Sequence, residues 1–103
     1  MAQRPENPMK MLESMDPELY KVVESNRKFA YTDGVLPLKF KMLLTMALDA
    51  SHGTVPGTMS CAMGAMQAGA TKEEIMETLR VVGFVCGVGS VYTTIQALKQ
   101  CIG

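Results

Sequence analysis

The chain has 103 residues, a formal net charge of zero, and 48% hydrophobic against 19% charged residues. That length fits one domain, and the composition excludes a disordered chain and a disulfide-stapled miniprotein. The balanced charge contains no basic run, so we expect no nucleic-acid partner. The longest low-polarity run, residues 81–91, falls short of the roughly 20 residues that span a bilayer, so we expect no membrane partner.

The three cysteines favour a reducing compartment. Cys61, Cys86 and Cys101 are odd in number and lie in apolar stretches, which fits a cytoplasmic protein better than a secreted one. Residues 1–8 hold two prolines among polar residues and lack the apolar core of a signal peptide. We therefore predict a flexible N-terminal arm over residues 1–8 and a single helical domain over residues 9–103.

The hydrophobic pattern predicts an all-α fold, a small antiparallel bundle of five to six helices without strand alternation. After a leader turn, Asp16-Pro17-Glu18 predicts a helix start, because Asp accepts bonds from the first amides and Pro fixes the first helical φ. Thr32-Asp33-Gly34 ends this helix. Its apolar residues at helical spacing are Leu19, Val22, Val23 and Phe29.

A second helix is predicted from Leu36-Pro37 to His52-Gly53. Its apolar face holds Phe40, Leu43, Leu44, Ala47 and Leu48, widened by Met42 and Met46. A third helix begins at Thr54-Val55-Pro56 and ends before Gly69, a candidate left-handed cap. One wall of this helix consists of Met59, Met63 and Met66.

The strongest boundary signal is Thr71 followed by Glu74, a capping box in which each residue satisfies an exposed amide of the other. The fourth helix should direct Ile75, Leu79, Val82, Gly83 and Cys86 inward. Gly87 and Gly89 break it, since glycine is unfavourable in a helix interior. A final helix is predicted over residues 90–100, with Val91, Ile95 and Leu98 inward.

One stretch carries a more specific pattern than periodicity. A Leu-Pro-initiated helix and a short break precede Gln67-Ala68-Gly69-Ala70-Thr71, then Glu74-Ile75, the Gly87 break and Ala97-Leu98. This pattern resembles the carboxymuconolactone decarboxylase and alkylhydroperoxidase D-like family over residues 19–98. The resemblance implies small helical subunits that form homotrimers or homohexamers, with active sites at or near subunit contacts.

The resemblance also implies where catalytic residues would lie. The peroxidase branch of that family has C-x-x-C at a helix start, a His four residues beyond the second Cys, and a Glu on the preceding helix. In this sequence those positions hold Thr54, Gly57, Cys61 and Met42. The decarboxylase branch lacks the cysteines but keeps the His where this chain has Cys61. Neither mechanism therefore transfers residue by residue.

Cys61 is the first candidate for a reactive group, because it occupies the family's histidine position. The alternative is a buried thiol that acts as a small apolar residue, since Cys61 lies inside its helix with no nearby cation in the sequence. Cys86 lies near a helix C-terminus, where the dipole opposes a thiolate. A redox pair between Cys61 and Cys86 requires their Cα atoms to lie within about 7 Å.

His52 is the only histidine and follows Asp49 by three residues. A His–carboxylate pair there would orient a base toward Ser51 or Thr54. Equally, a histidine near a helix C-terminus is favoured by the dipole and by solvent. Thr54 itself is interpreted as an N-cap, with a catalytic hydroxyl as the lesser alternative.

We predict no metal site and no cofactor, because one histidine and scattered cysteines give no closed ligand set. The ten methionines are more typical of a core or subunit interface than of a Cu(I) site. The residues expected to line a pocket are Met42, Thr54, Gly57 and Met59.

Two functional hypotheses follow. The first is a family enzyme: a thiol-dependent peroxidase or disulfide reductase using Cys61 and Cys86, or a decarboxylase or hydrolase of small acids using His52. The second is a non-catalytic homo-oligomer whose methionine-lined interior binds a small molecule or packs subunits. It predicts a dry pocket lined by Met42, Met46, Met59 and Met63. The short, apolar chain itself favours a homo-oligomer, because 103 residues bury their apolar faces with difficulty alone.

Overall fold

The structure is a computed structural model that describes residues 8–102. This range contains six α-helices and no strand: α1 (Met9–Met15), α2 (Pro17–Tyr31), α3 (Leu38–Ser51), α4 (Val55–Gln67), α5 (Lys72–Cys86) and α6 (Val88–Cys101). The predicted all-α class is confirmed. The predicted arm over residues 1–8 lies outside the described residues, except for Pro8.

Local capping chemistry sets the helix boundaries. The Asp16 side chain accepts a hydrogen bond from the Leu19 amide at 3.0 Å and starts α2. At the start of α5, the Glu74 amide donates to Thr71 Oγ1 at 3.0 Å, and the Thr71 amide donates to Glu74 Oε1 at 2.8 Å. Both predicted caps are confirmed.

Two boundaries differ from the sequence prediction. The leader before α2 is a helix of seven residues, α1, rather than a turn. The last helix begins at Val88 rather than Ser90, because Gly87 alone makes the break. Its φ of +90° is a conformation that glycine adopts without strain, and helical geometry resumes at the next residue.

The core lies mainly between α3, α4 and α6, with α5 closing one side. Helix α3 packs chiefly on α4, α6 packs on α4 and α5, and α5 also contacts α3. The centre of the core is fully buried and consists of Met46, Ala62, Ala65 and Ile75. The methionines of α3 that sequence analysis treated as widening the apolar stripe are thus at the middle of the core.

Two predicted inward positions are wrong. Ile95 is 44% exposed, and the buried face of α6 is instead formed by Ser90, Thr94, Ala97 and Leu98. Apart from Leu98, this face consists of small residues, and it packs on α4 and α5. The Thr94 hydroxyl donates to the Ser90 carbonyl at 2.9 Å. Cys86 is the second, exposed at the end of α5. Val91 is half-buried and packs against the core, as predicted.

Helices α1 and α2 contribute little to the core, although Tyr31 at the end of α2 packs against it. Neither helix contains a buried residue, and Phe29 of α2 is 84% exposed. Polar contacts at the end of α2 attach it to α3. Tyr31 Oη donates to Thr45 Oγ1 at 2.8 Å, and Lys41 Nζ donates to the carbonyls of Ala30 and Thr32 at 2.7 and 2.6 Å.

Within residues 8–102, no helix combines the length and apolar character needed to cross a membrane.

Candidate functional site

Cys61 lies about two turns into α4, and its side chain is buried against α3. Its Sγ donates a hydrogen bond to Asp49 Oδ2 at 3.5 Å. Asp49 lies near the end of α3 and is half-buried. The tight connection between α3 and α4, residues 52–54, brings these two side chains together from positions twelve apart in the sequence.

Gly57 belongs to the same site. It lies one turn before Cys61 on α4, and a Cβ built there would be 2.8 Å from Asp49 Oδ2 and 3.1 Å from Asp49 Cγ. Real Cβ atoms do not approach other atoms this closely, so the carboxylate occupies space that any larger residue at 57 would claim. The position that holds a cysteine in the resembling peroxidases therefore makes room here for Asp49.

Thr54 borders this site as the N-cap residue of α4, as predicted, but its hydroxyl makes no capping bond. Its Cγ2 instead lies 3.0 Å from the Cβ position of Gly57. The Thr54 carbonyl accepts the hydroxyl of buried Thr58 at 2.6 Å. A threonine in this setting helps to shape the rim of the site rather than cap the helix.

Of the two alternatives for His52, the structure shows the histidine at the helix end rather than an ion pair with Asp49. No His52 contact with a carboxylate within 4 Å occurs among the residues the structure describes. Instead, His52 Nδ1 lies 2.8 Å from the Leu48 carbonyl oxygen, and the ring is exposed at the end of α3. Since a carbonyl only accepts, Nδ1 is the donor in this contact.

The cysteines occupy different surroundings. Cys61, Cys86 and Cys101 are all thiols, not disulfides. Cys61 faces α3 from α4, whereas exposed Cys86 lines a groove between α3 and α5. Cys101 Sγ donates to the Ala97 carbonyl at 3.4 Å, and burial raises the pKa of this thiol. The geometry thus associates Cys61 with a carboxylate and not with Cys86.

The four residues expected to line one pocket do not lie together in the structure. Met42, Met46 and Met59 are buried in packed protein, while Thr54 and Gly57 lie at the Asp49 site. Met42 also borders a shallow depression of about 290 Å³ beneath Arg27 and Tyr31.

An apolar groove of about 560 Å³ lies between α3 and α5 and contains no methionine. Its lining residues are Phe40, Leu43, Leu44, Ala47, Leu48, Ser51, Glu74, Glu77, Thr78, Val81, Val82, Val85 and Cys86. Leu44, Val81 and Val85 are each more than half exposed. We call this feature the α3–α5 groove.

Across residues 8–102, no three His, Cys, Asp or Glu side chains are grouped closely enough to hold a metal ion.

Sequence reasoning missed Asp49 as the partner of Cys61. It considered Asp49 only as an alternative partner of His52, because the two are one helical turn apart. The useful signal was instead the short break at residues 52–54, which folds α4 back along α3 and places Gly57 and Cys61 opposite the last turns of α3. A glycine one turn before a cysteine, facing an acidic residue, marks such a site.

Comparisons with known proteins agree with this architecture. The model of the carboxymuconolactone decarboxylase family matches residues 17–100. The apo crystal structure of a carboxymuconolactone decarboxylase family protein from Legionella pneumophila matches with a TM-score of 0.84 and 27% identity, covering 89% of this chain and 82% of that chain.

A second solved structure, of a proposed carboxymuconolactone decarboxylase from Burkholderia xenovorans LB400, has a TM-score of 0.86 and covers 95% of this chain and 77% of that one. Its identity is 23%, so it shows the fold alone. No match was found among curated proteins.

Proposed function

Because the chain belongs to the carboxymuconolactone decarboxylase family, we propose that it is a thiol-dependent hydroperoxide reductase that uses the single cysteine Cys61. The observation that carries the proposal is the hydrogen bond from Cys61 Sγ to the Asp49 carboxylate at 3.5 Å. A carboxylate in this position can accept the thiol proton as sulfur attacks. It supports thiol chemistry over a decarboxylase or hydrolase centred on His52, whose Nδ1 contacts backbone.

The proposed reaction begins with attack of the Cys61 sulfur on one oxygen of a hydroperoxide. An S–O bond forms as the O–O bond breaks, Asp49 takes the thiol proton, and that proton passes to the departing alkoxide, which leaves as an alcohol or as water. Cys61 is oxidised to a sulfenic acid.

A low-molecular-weight thiol then condenses with the sulfenic acid, releasing water and forming a mixed disulfide. A second thiol attacks this disulfide, releases the oxidised reductant and restores the Cys61 thiol. The cycle consumes one hydroperoxide and two thiols. It needs no second protein cysteine, which agrees with the separate surroundings of Cys61 and Cys86.

The test is consumption of hydrogen peroxide with dithiothreitol as the reductant. We expect Cys61→Ser to abolish turnover and Asp49→Asn to lower it about 100-fold, the low end of what a positioned general base contributes. Cys86→Ser and Cys101→Ser are the matched controls and should retain full activity. Dimedone should label Cys61 after one equivalent of peroxide. Wild-type protein without turnover, or turnover unaffected by Cys61→Ser, would overturn the proposal.

A second candidate function is that of a non-catalytic homo-oligomer, and the distribution of apolar residues favours it. Among residues 8–102, exposed large apolar side chains outnumber buried ones, and Phe84, Val85 and Tyr92 are each at least 68% exposed. Isolated soluble proteins rarely expose apolar patches of this kind, which mark interaction surfaces. A second copy of this chain is the proposed partner, in a trimer or hexamer as the family resemblance implies.

Light scattering of the purified protein tests this assembly independently of the peroxide assay. We expect a mass of three or six subunits at micromolar concentration, and a monomer would contradict it. An oligomer without peroxide turnover would leave the non-catalytic function as the better account.

A further inference from the structure

The part of the chain around Cys61 carries very little charge apart from one carboxylate. Between Lys41 and Lys72 the sequence has no lysine or arginine, and Asp49 is its only acidic residue. This stretch includes most of α3 and all of α4. Its other titratable groups are Cys61 itself and His52, whose ring is exposed at the end of α3.

The lysines of α3 do not neutralise Asp49. Lys39 is paired with Glu74 at 3.0 Å, and Lys41 donates to backbone carbonyls at the end of α2. At 1.5 Å per residue, both lysines lie about 12 Å or more from Asp49 along the axis of α3. No lysine, arginine or histidine among residues 8–102 lies within 4 Å of the Asp49 carboxylate oxygens. Asp49 therefore acts on the Cys61 site as an unpaired negative charge.

Every molecule that bonds to the Cys61 sulfur comes close to this charge. Cys61 Sγ lies 3.5 Å from Asp49 Oδ2, and an S–S bond is about 2 Å long, so a sulfur joined to Cys61 lies at most about 5.6 Å from that oxygen. This distance is shorter than the Debye length of about 8 Å at physiological ionic strength. The carboxylate is also packed against α4, because a Cβ at Gly57 would lie 2.8 Å from Oδ2.

The reductive half of the proposed reaction is the part most sensitive to this charge. A thiolate attacks the sulfenic sulfur of Cys61: an S–S bond forms, the S–O bond breaks, and the departing hydroxide takes a proton and leaves as water. The Cys61 sulfur is reduced and the incoming sulfur is oxidised. The attacking thiolate and Asp49 repel each other. An ammonium group on the same molecule cancels the thiolate charge, whereas a carboxylate doubles it.

We infer that the reductant of Cys61 is a small aminothiol, a thiol with a cationic group and no carboxylate, and that Asp49 selects it. This inference rests on the proposed hydroperoxide reductase and names the class of its second substrate. Asp49 then has two roles, since it accepts the thiol proton in the first half of the cycle and determines which thiol completes the second half. Hydrogen peroxide is uncharged, so the first half is indifferent to the selection.

Charged thiol reagents test the selection without requiring peroxide turnover. In a Cys86→Ser/Cys101→Ser background, Cys61 is reacted with two methanethiosulfonates, one carrying a trimethylammonium-ethyl group and the other a sulfonato-ethyl group. Each transfers its thioalkyl group to the Cys61 sulfur and releases methanesulfinate. We expect Asp49→Asn to lower the ratio of the cationic to the anionic rate about tenfold, because Asp49 attracts one reagent and repels the other.

The ratio isolates charge, because the acidity of the Cys61 thiol affects both reagents equally. Asp49→Glu keeps the charge and should preserve the wild-type ratio. Glu73→Gln is the matched control, since it removes a negative charge from the first turn of α5, the end that Glu74 ties to the start of α3. It should leave the ratio unchanged. A ratio that Asp49→Asn does not alter would overturn the role of Asp49.

Peroxide turnover with cysteamine, mercaptoethanol or mercaptopropionate as the reductant measures the same preference in the working cycle. Compared per thiolate present, we expect kcat/KM for the reductant to fall in that order, by about tenfold overall, and the order to flatten in Asp49→Asn. Turnover without this preference would overturn the aminothiol and leave the peroxidase standing. No turnover with any of the three would overturn the proposed function and the inference with it.

Discussion

Helix α3 has two neighbouring apolar faces with very different surroundings. One face holds Met46, fully buried in the core, together with Ala50 at 1% exposure. The other holds Leu44 and Leu48, which are 54% and 53% exposed along the α3–α5 groove. Leu43 belongs to both, since it is buried in the core and also borders the groove.

The difference shows which residues stabilise the chain and which remain available for association. The buried face gains its stabilisation on folding, from apolar area removed from water within one chain. The groove face can gain the same kind of stabilisation only when another molecule covers it. An apolar helix face therefore indicates that this face is buried against another surface, and only the packing shows which surface that is.

The largest effect we expect comes from truncating each face in turn. Met46→Ala should lower the free energy of unfolding by about 2 to 5 kcal/mol, because it leaves a cavity in packed surroundings. Leu44→Ala should change it by no more than about 0.5 kcal/mol in dilute protein, where the side chain is exposed in a separate subunit. Urea unfolding of both variants measures the difference.

The same pair of variants responds differently to protein concentration. Where oligomers form, Leu44→Ala should weaken assembly, so its cost should grow as the protein is concentrated. The cost of Met46→Ala should not depend on concentration. If the two variants lost the same free energy of unfolding in dilute protein, the groove face would be as important to the folded subunit as the buried face, contrary to the packing.

A smaller effect distinguishes the Asp49 site from a simple packing contact. Gly57→Ala places a Cβ 2.8 Å from Asp49 Oδ2, so the carboxylate must move away from Cys61. Because that carboxylate is at the end of a half-exposed side chain, we expect a cost of about 1 kcal/mol, the low end for overpacking. Peroxide turnover should fall as in Asp49→Asn.

Gly89→Ala is the matched control for this substitution. A Cβ at Gly89 meets nothing within 4 Å, and alanine is the better helix former by up to about 1 kcal/mol. We expect a small gain in thermal stability and unchanged turnover. If Gly57→Ala leaves turnover intact, the position of Asp49 does not matter to Cys61.

Sequence reasoning located the helices well because their boundaries depend on local chemistry. The Asp16 and Thr71 caps and the Gly87 break are decided within one or two turns. The faces were harder to assign. On α6 three of the four buried residues are small or polar, so counting apolar residues selected Ile95, which is exposed, beside Leu98, which is buried. Tertiary packing chose between apolar stripes that periodicity treats alike.

The candidate site was predictable only in part. Cys61 was singled out by its alignment with the resembling family's histidine, and the structure places it beside a carboxylate. Asp49 was not paired with it, because that contact depends on how α4 folds back along α3. Similarly, four methionines are expected around a pocket, but Met42 and Met46 lie in the core cluster, Met59 is buried and Met63 is half-buried.

The smallest effect concerns Glu74, where α5 is tied to α3. The Thr71 backbone amide, followed by Lys39, lowers the pKa of the Glu74 carboxyl below its usual 4.5. Lys39 Nζ donates to Glu74 Oε2 at 3.0 Å. Since the pKa is lower in the folded chain, the unfolded chain binds more protons as the solution becomes acidic. The stabilisation is therefore complete above the usual value of 4.5 and is lost as pH falls through the lowered one.

Urea unfolding of wild type and Glu74→Gln between pH 7 and pH 3 measures this contribution. We expect wild type to be slightly more stable at pH 7, and the two curves to converge in acid as the carboxyl is protonated. Glu73→Gln is the control, because Glu73 shares the first turn of α5 but not the capping box. Protonation of the Glu74 carboxylate removes the charge that strengthens its bonds to Lys39 and to the Thr71 amide. A stability difference between wild type and Glu74→Gln that stays constant to pH 3 would therefore mean that the side chain acts by packing and not by charge.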